Sequence, residues 1–409
     1  MVKIPAFEVE QWMDAYENTP GVLNIAETCA SSISISQLAE FHSKSRDGSA
    51  PPVVDFSRPM TYGAIRGSDE LRRNIAALYP EERGEGGDDD PASGALAPED
   101  IIVTPGAIAA NHLVFYTLIG PGDHVVCVFP TYQQLYTIPE TLGAEVTLWR
   151  LKAEDQYVPD TSELEKLIRE NTKMIVINNP NNPTGATTPR AVLAKVIEIA
   201  RKHDIIVFSD EVYRPLYHGL AEPDVPPSTL SLGYRKVVAT SSMSKAWALA
   251  GIRLGWIASR DKSIVEQLAM ARDYTTISVS QLDDQVARYA LGAEVRPALL
   301  GRNIELARTN LSLLEKFVQD HADVCSWVKP TAGTTAFIRF SHKNGKPVDD
   351  EAFCKDVLDK AKVMFLPGTR CFGNGHDFHG FVRIGYVNGT DVVQKALENL
   401  HAYVAEHLS

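Results

Sequence analysis

Lys245 sits in a turn of small hydroxyl residues, Ser241-Ser242-Met243-Ser244-Lys245, with Ser242 three residues before it and Arg253 eight residues after. A lysine amine becomes a nucleophile or a base once it sheds its proton, and desolvation or a neighbouring cation lowers its pKa. Arginine forks onto phosphate oxygens, and a hydroxyl adds a directed donor. The combination suits Schiff-base chemistry on a compound that also carries a phosphate. By itself Lys245 also reads as a solvated surface lysine, but the apolar run from Trp247 to Leu254 argues for burial.

Further turns carry compatible groups. Thr104-Pro105-Gly106-Ala107-Ile108-Ala109-Ala110-Asn111 joins a strand to a helix, and small residues there let backbone N–H groups of Gly106, Ala107 and Ile108 point at an anion. Ile108 has no hydroxyl, so a phosphate would be held there by main chain. Asn178-Asn179-Pro180-Asn181-Asn182-Pro183-Thr184-Gly185 follows another strand; two X–Pro bonds in a turn raise the chance of a cis peptide, and Asn182 can donate to a phenolic oxygen. Ser209-Asp210-Glu211-Val212-Tyr213 ends a strand with a carboxylate that is unfavourable in burial without a cation; a protonated pyridine nitrogen would serve, making the ring an electron sink. Tyr213 could donate to the ring's 3-oxygen, and Tyr132, after Pro130-Thr131, could stack on a flat ring. Plain structural roles stay open for each: an Asn/Pro turn, a helix cap at Asp210, ordinary packing at Tyr132.

The elements that must hold these turns are short β-branched runs: 101–103, 124–129, 145–149, 174–177, 205–208 and 237–239. Most are continuously apolar, as strands buried on both faces are. Helical patterns separate them. After Thr188-Pro189, an expected N-cap and first helical residue, Leu193, Val196, Ile197 and Ala200 share one face. Alternating strands and helices predict an α/β fold with a mainly parallel sheet, in which ligands gather at the carboxyl ends of the strands. Beyond residue 285 the pattern predicts a smaller α+β domain: helix over 283–320, strand 335–340, helix 349–361, strand 381–384 and a terminal helix. The expected division is an N-terminal segment, 1–50, packing on the small domain or the site; a large domain, 51–285; and a small domain, 286–409.

The chain's 409 residues exceed what one core usually supports. A net charge of −12 argues against nucleic acid or anionic membrane as partner. The five cysteines, Cys29, Cys127, Cys325, Cys354 and Cys371, form no CxxC pair, so neither a disulfide framework nor a metal site is expected. Cys127 reads as core. The N-terminus has no apolar signal core, and no run approaches the roughly 18 apolar residues of a membrane span, so a cytoplasmic location is expected. The Gly-, Asp- and Pro-rich stretch from Glu82 to Pro98 reads as an exposed acidic insertion.

The turn around Lys245 with its downstream arginine, Asn179-Pro180-Asn181-Asn182-Pro183-Thr184-Gly185, and Ser209-Asp210-Glu211-Val212-Tyr213, in this order, resemble the class I/II aminotransferases among the fold-type I pyridoxal-phosphate enzymes. The resemblance runs from about Asn24 to Arg383. It implies a mainly parallel seven-stranded sheet sandwiched by helices and pyridoxal 5′-phosphate as cofactor. It makes Lys245 the Schiff-base lysine and proton shuttle, Ser242 and Arg253 the phosphate ligands, Asp210 the pyridinium partner, Asn182 and Tyr213 the 3-oxygen donors, and Tyr132 the stacking ring. Tyr62, in Tyr62-Gly63-Ala64-Ile65-Arg66-Gly67, matches a tyrosine that reaches the phosphate across a dimer interface, implying a homodimer with shared sites. Arg383, in Phe381-Val382-Arg383-Ile384-Gly385, matches the arginine that clamps the substrate α-carboxylate.

These motifs imply an amino-acid substrate, and transfer of its amino group to a 2-oxo acid is the first expectation. They do not separate that branch from elimination or cyclisation. The stretch Asn24-Ile25-Ala26-Glu27-Thr28-Cys29-Ala30, with the turn at 106–111, is similar to 1-aminocyclopropane-1-carboxylate synthases, γ-lyases acting on S-adenosylmethionine, and to capreomycidine synthase-like enzymes, which cyclise an arginine derivative. Ile108 departs from the threonine of the lyases. Glu27 is expected in the substrate pocket, favouring a cationic or polar side chain; it also reads as a capping or solvated glutamate. No second arginine stands out for a dicarboxylate. A non-catalytic pyridoxal-phosphate-binding regulator is the contrasting class, but it needs neither the proton-transfer nor the carboxylate-binding groups.

Overall fold

The computed structural model describes residues 4–44, 48–80 and 95–408. Residues 82–94 of the expected acidic insertion lie outside the described residues. After a short strand β1 (Leu23–Asn24), seven strands form the main sheet: β2 (Ile101–Thr104), β3 (His124–Phe129), β4 (Glu145–Arg150), β5 (Thr172–Asn178), β6 (Ile206–Asp210), β7 (Val237–Ser242) and β8 (Gly255–Ser259). Their order is β2-β8-β7-β6-β5-β3-β4. Strands β3 to β7 pair in parallel, and β8 runs antiparallel between β2 and β7. The α/β reading with a mainly parallel sheet is correct, and so is the count of seven. Strand β8 was missing from the sequence reading, because its five residues, Gly-Trp-Ile-Ala-Ser, merge into the apolar run before them.

Burial explains the near-continuous apolar strands. Ile102, Val125, Cys127, Val176, Phe208 and Val238 join one core, while Val103, Val126, Val128, Ile175, Val207 and Ala239 join the other. Successive side chains leave a strand on opposite faces, so a sheet with helices on both sides needs apolar residues at every position. Cys127 is fully buried, as expected.

The helix Arg190–Lys202 buries Leu193, Val196, Ile197 and Ala200 on the anticipated face. Its N-cap is Pro189 rather than Thr188, whose N–H instead goes to Asn179 Oδ1 at 2.9 Å. The helical region expected over 283–320 is two helices, Gln281–Ala290 and Arg296–Asp320. The break falls at Gly292, where helix propensity is poor, and Pro297 follows in the first turn of the second helix, where a missing N–H costs nothing.

A smaller sheet collects β9 (Cys325–Trp327), β10 (Thr335–Phe340), β12 (Leu366–Pro367) and β13 (Phe381–Gly385), in the order β12-β13-β10-β9, all antiparallel. Strand β11 (Val363–Met364) pairs in parallel with β1. The chain after β1 is then pinned to β13 by Gly385 N–H to Ile25 O at 2.7 Å, and to the Lys245 turn by Ala30 N–H to Lys245 O at 3.3 Å. A Cβ on Gly385 would stand 1.8 Å from the Glu27 carbonyl oxygen, so only glycine allows this approach.

Candidate active site

Thr104, Phe129, Asn178, Asp210 and Ser242 are the last residues of β2, β3, β5, β6 and β7, so the turns picked out in the sequence leave one edge of the sheet. Above that edge lies a cavity of about 640 Å³ lined by Glu27, Ala107, Ile108, Tyr132, Asn182, Asp210, Tyr213, Ser242, Lys245, Arg253 and Arg383, among others. Gly106 adjoins it. Tyr62 is the one candidate that a single chain does not bring there; it is 85% exposed, on the segment before Ser68.

Gly106 caps the helix Ala107–Leu118 with φ of +86°, and a Cβ there would lie 2.9 Å from Arg253 Nη2. The space a side chain would fill is therefore open between a helix N-terminus, whose first N–H groups have no intrahelical partner, and a guanidinium. Arg253 is itself held by the Ala250 carbonyl at 3.0 Å and by Ser244 Oγ at 3.5 Å. A Cβ on Gly255 would stand 2.5 Å from the Gly106 carbonyl carbon, so β8 meets the turn only because it opens with glycine.

Asp210 is 3% exposed. Burial pushes its carboxyl up to about 6, against donation from Val212 N–H at 3.1 Å and Asn111 Nδ2 at 3.0 Å. Both Asn179–Pro180 and Asn182–Pro183 are cis. The turn places Asn182 so that its N–H meets Asn178 Oδ1 at 2.7 Å and its own Oδ1 receives Arg383 Nη1 at 3.3 Å. Arg383 also donates from Nη2 to the Ala26 carbonyl at 2.7 Å, while its buried Nε has no partner. Tyr132 packs against Phe7 with its ring tilted by 55° and donates to Glu10 Oε1 at 3.1 Å.

Lys245 Nζ donates to Thr28 Oγ1 at 2.6 Å and lies 3.5 Å from Cys29 Sγ and 3.9 Å from Glu27 Oε1. The expectation of a lowered lysine pKa is reversed. Burial and the Arg383 charge do oppose its ammonium form, but Cys29, Tyr213 and Glu27 outweigh them and raise its pKa. Glu27 behaves conversely. Burial resists its ionisation, yet Lys245 and the N–H groups of Thr28 and Cys29 hold its carboxyl below the usual range. It combines both readings: Oε1 caps the Thr28 and Cys29 amides at 2.7 and 3.1 Å, and the side chain lines the cavity. Glu10, Asp14 and Glu17 on the N-terminal helical stretch also line it, and its only lysine and arginines among the described residues are Lys245, Arg253 and Arg383.

Pyridoxal phosphate fits this set: an open anion cradle at Gly106 and Arg253, a lysine within the same cavity, a buried carboxylate short of a cation, and a guanidinium with an orphaned N–H. Sequence reasoning missed Thr28 and Cys29 as neighbours of the lysine, Ser244 beside Arg253, and Asn111. Only the Gly106-to-Asn111 spacing carried a signal for the last, one helical turn past the cradle.

The described elements contain no helix long and apolar enough to cross a membrane. The model of the family described as aminotransferase class I and II matches residues 37–400. A crystal structure of a PLP-dependent aminotransferase from Streptococcus suis is 35% identical, with a TM-score of 0.84 over 99% of this chain and 98% of that one. An aspartate aminotransferase from Pyrococcus horikoshii is 27% identical over 83% of this chain and 82% of its own length. Capreomycidine synthase from Streptomyces vinaceus is 28% identical over 75% of each.

Proposed function

Because this chain belongs to the aminotransferase class I and II family, we propose that it moves the amino group of an α-amino acid with a cationic or polar side chain to a 2-oxo acid. It is a pyridoxal-phosphate-dependent aminotransferase. The observation that carries the substrate reading is the gathering of Lys245, Asp210 and Arg383 in one cavity whose remaining charged lining, apart from Arg253 at the anion cradle, is the acidic set Glu10, Asp14, Glu17 and Glu27.

When bound, pyridoxal phosphate supplies an electrophilic carbon for amines and a ring that draws electrons from the substrate Cα. Gly106, Ala107 and Ile108 would hold its phosphate through main-chain N–H groups, with Ser242 and Arg253 completing the anion site. Asp210 would hold the proton on the ring nitrogen; Asn182 and Tyr213 would donate to the 3-oxygen, and Tyr132 would cover the ring face. Arg383 binds the substrate α-carboxylate, presenting the Nε that has no partner within the chain. Lys245 Nζ takes the Cα proton, with Thr28 Oγ1 directing it. Since the ionised Glu27 beside it favours the ammonium, the amine must first give up a proton to act as base.

Glu27 and the acidic rim favour a cationic substrate side chain and disfavour a second carboxylate, in the donor as in the acceptor. Glu27→Gln tests this: arginine should lose about 10-fold in kcat/KM relative to leucine, the scale of one lost charge-assisted contact. An unchanged preference would sink the role of Glu27. The similarity to capreomycidine synthase keeps a lyase or cyclase as second reading. Product analysis with and without a 2-oxo acid separates them: transfer requires the acceptor, whereas ammonia or a cyclic product without one overturns it.

The working unit is a homodimer in which Tyr62 reaches the phosphate of the other protomer. Support comes from Phe56, Met60, Tyr62 and Ile65 on one stretch and Tyr274, Ile277 and Leu282 on another, all exposed; Gln281 donates to the Thr61 carbonyl and ties the two stretches together. So many large apolar side chains left exposed on linked stretches point to an interface. The five free thiols fit a reducing cytoplasm.

A further inference from the structure

Asn111, on the helix that begins at the anion cradle, is 1% exposed and makes bonds on both ends of its amide. Its Nδ2 donates to Asp210 Oδ2 at 3.0 Å and to Gln134 Oε1 at 3.2 Å, and its Oδ1 accepts from Thr240 Oγ1 at 2.6 Å. Gln134 Nε2 in turn donates to the Ile108 carbonyl at 2.7 Å. Thr240 is the direct partner of Asp210 across β6 and β7.

The direction of every bond follows from one end. A carbonyl can only accept, so Gln134 must turn its NH₂ toward Ile108 and its oxygen toward Asn111. Asn111 must then present its NH₂ to Gln134 and Asp210, and its oxygen to Thr240, which is left to donate. A flipped Asn111 would set oxygen against oxygen at both Asp210 and Gln134. The amide therefore has a single orientation, and Asp210 Oδ2 always receives a hydrogen. Val212 N–H does the same for Oδ1.

We propose that Asn111, with its orientation locked by Thr240 and Gln134, is a positioning residue that fixes the Asp210 carboxylate in its ionised, acceptor-only form against the cofactor's ring nitrogen. This rests on the reading that Asp210 meets that nitrogen. Ile108 gives the arrangement its other use: a turn with no side-chain hydroxyl for a phosphate is braced from behind through its carbonyl. Asn111 touches neither the substrate nor the reacting atoms in this scheme; it acts through Asp210.

The test compares pyridoxal phosphate with its 1-deaza analogue, which has carbon in place of the ring nitrogen, by titrating cofactor-free full-length protein and following tryptophan fluorescence. Asn111→Leu should raise the Kd for pyridoxal phosphate at least about 10-fold, the scale of a hydrogen bond to a charged group, and that for the analogue less than about 2-fold. Thr240→Val should shift it in the same direction, and Thr240→Ser should restore wild-type discrimination. Equal losses for both cofactors, or none for pyridoxal phosphate, would overturn the proposal. Should Asn111→Leu fail to fold, the Thr240 pair decides alone: no difference between Val and Ser overturns it. Asp210→Ala is the separate control. If it too fails to distinguish the cofactors, the contact between Asp210 and the ring nitrogen falls; if it distinguishes them while the Asn111 and Thr240 variants do not, only the role of Asn111 falls.

Discussion

Asp210→Asn should make the cofactor-free protein more stable as pH rises, relative to the wild type. Burial lifts the Asp210 carboxyl from 3.8 to about 6, so the folded state binds its proton more tightly than the unfolded state does. Such a group adds stability at low pH that disappears as pH climbs from about 3.8 to about 6, and above that the ionised carboxylate carries the full cost. At about 1.4 kcal/mol per pH unit the cost is about 3 kcal/mol, and roughly half of it develops between pH 5 and pH 8. An amide does not titrate and shows no such loss. It does forfeit the bond from Val212 N–H or the one from Asn111 Nδ2, about 1 kcal/mol at every pH. The expected signal is thus a slope: the difference in thermal midpoint between Asp210→Asn and wild type should grow by about 1.5 °C from pH 5 to pH 8, the scale set by the unfolding entropy of a chain of this length. Scanning calorimetry of protein stripped of cofactor gives the curves. Parallel curves, or a wild type that gains on the variant with pH, would refute the account of a carboxylate strained by burial. With pyridoxal phosphate present the order should invert, since the cation that relieves Asp210 has no counterpart for asparagine.

Arg383→Lys keeps the charge but loses the fork and the Nε that has no partner, so KM for amino-acid substrates should rise about 10- to 100-fold with a smaller change in kcat; an unchanged KM in steady-state assays would remove Arg383 from α-carboxylate binding. Sedimentation equilibrium at micromolar concentration should return a dimer, and Tyr62→Phe should weaken cofactor binding about 10-fold, the scale of a hydrogen bond to a charged oxygen. A monomer with full cofactor affinity would rule out the shared site.

The chain by itself determined the strands of the main sheet other than β8, because burial on both sheet faces leaves no polar position to blur runs such as Val125 to Phe129. It also marked the turns, because glycine, proline and asparagine at 106, 180, 182 and 183 serve backbone shapes few other residues adopt. Serine, lysine and arginine at fixed spacing then supplied the family resemblance. What the chain could not declare was anything that depends on approach between distant segments. Glu27, Thr28 and Cys29 meet Lys245 only because Gly385 lets the stretch after β1 lie against β13, more than 200 residues from the lysine turn by the N-terminal route. That approach reverses the expected sign of the lysine's pKa, since composition near Lys245 in sequence says nothing of the Glu27 carboxylate and the Cys29 thiol near it in space. The Thr240–Asn111–Asp210 network is equally invisible in one dimension: its members belong to β7, a helix and β6, and only sheet pairing sets them side by side. Local sequence fixes backbone preference and apolar pattern, whereas electrostatic environment is a property of the packed whole, decided when the fold chooses each side chain's neighbours.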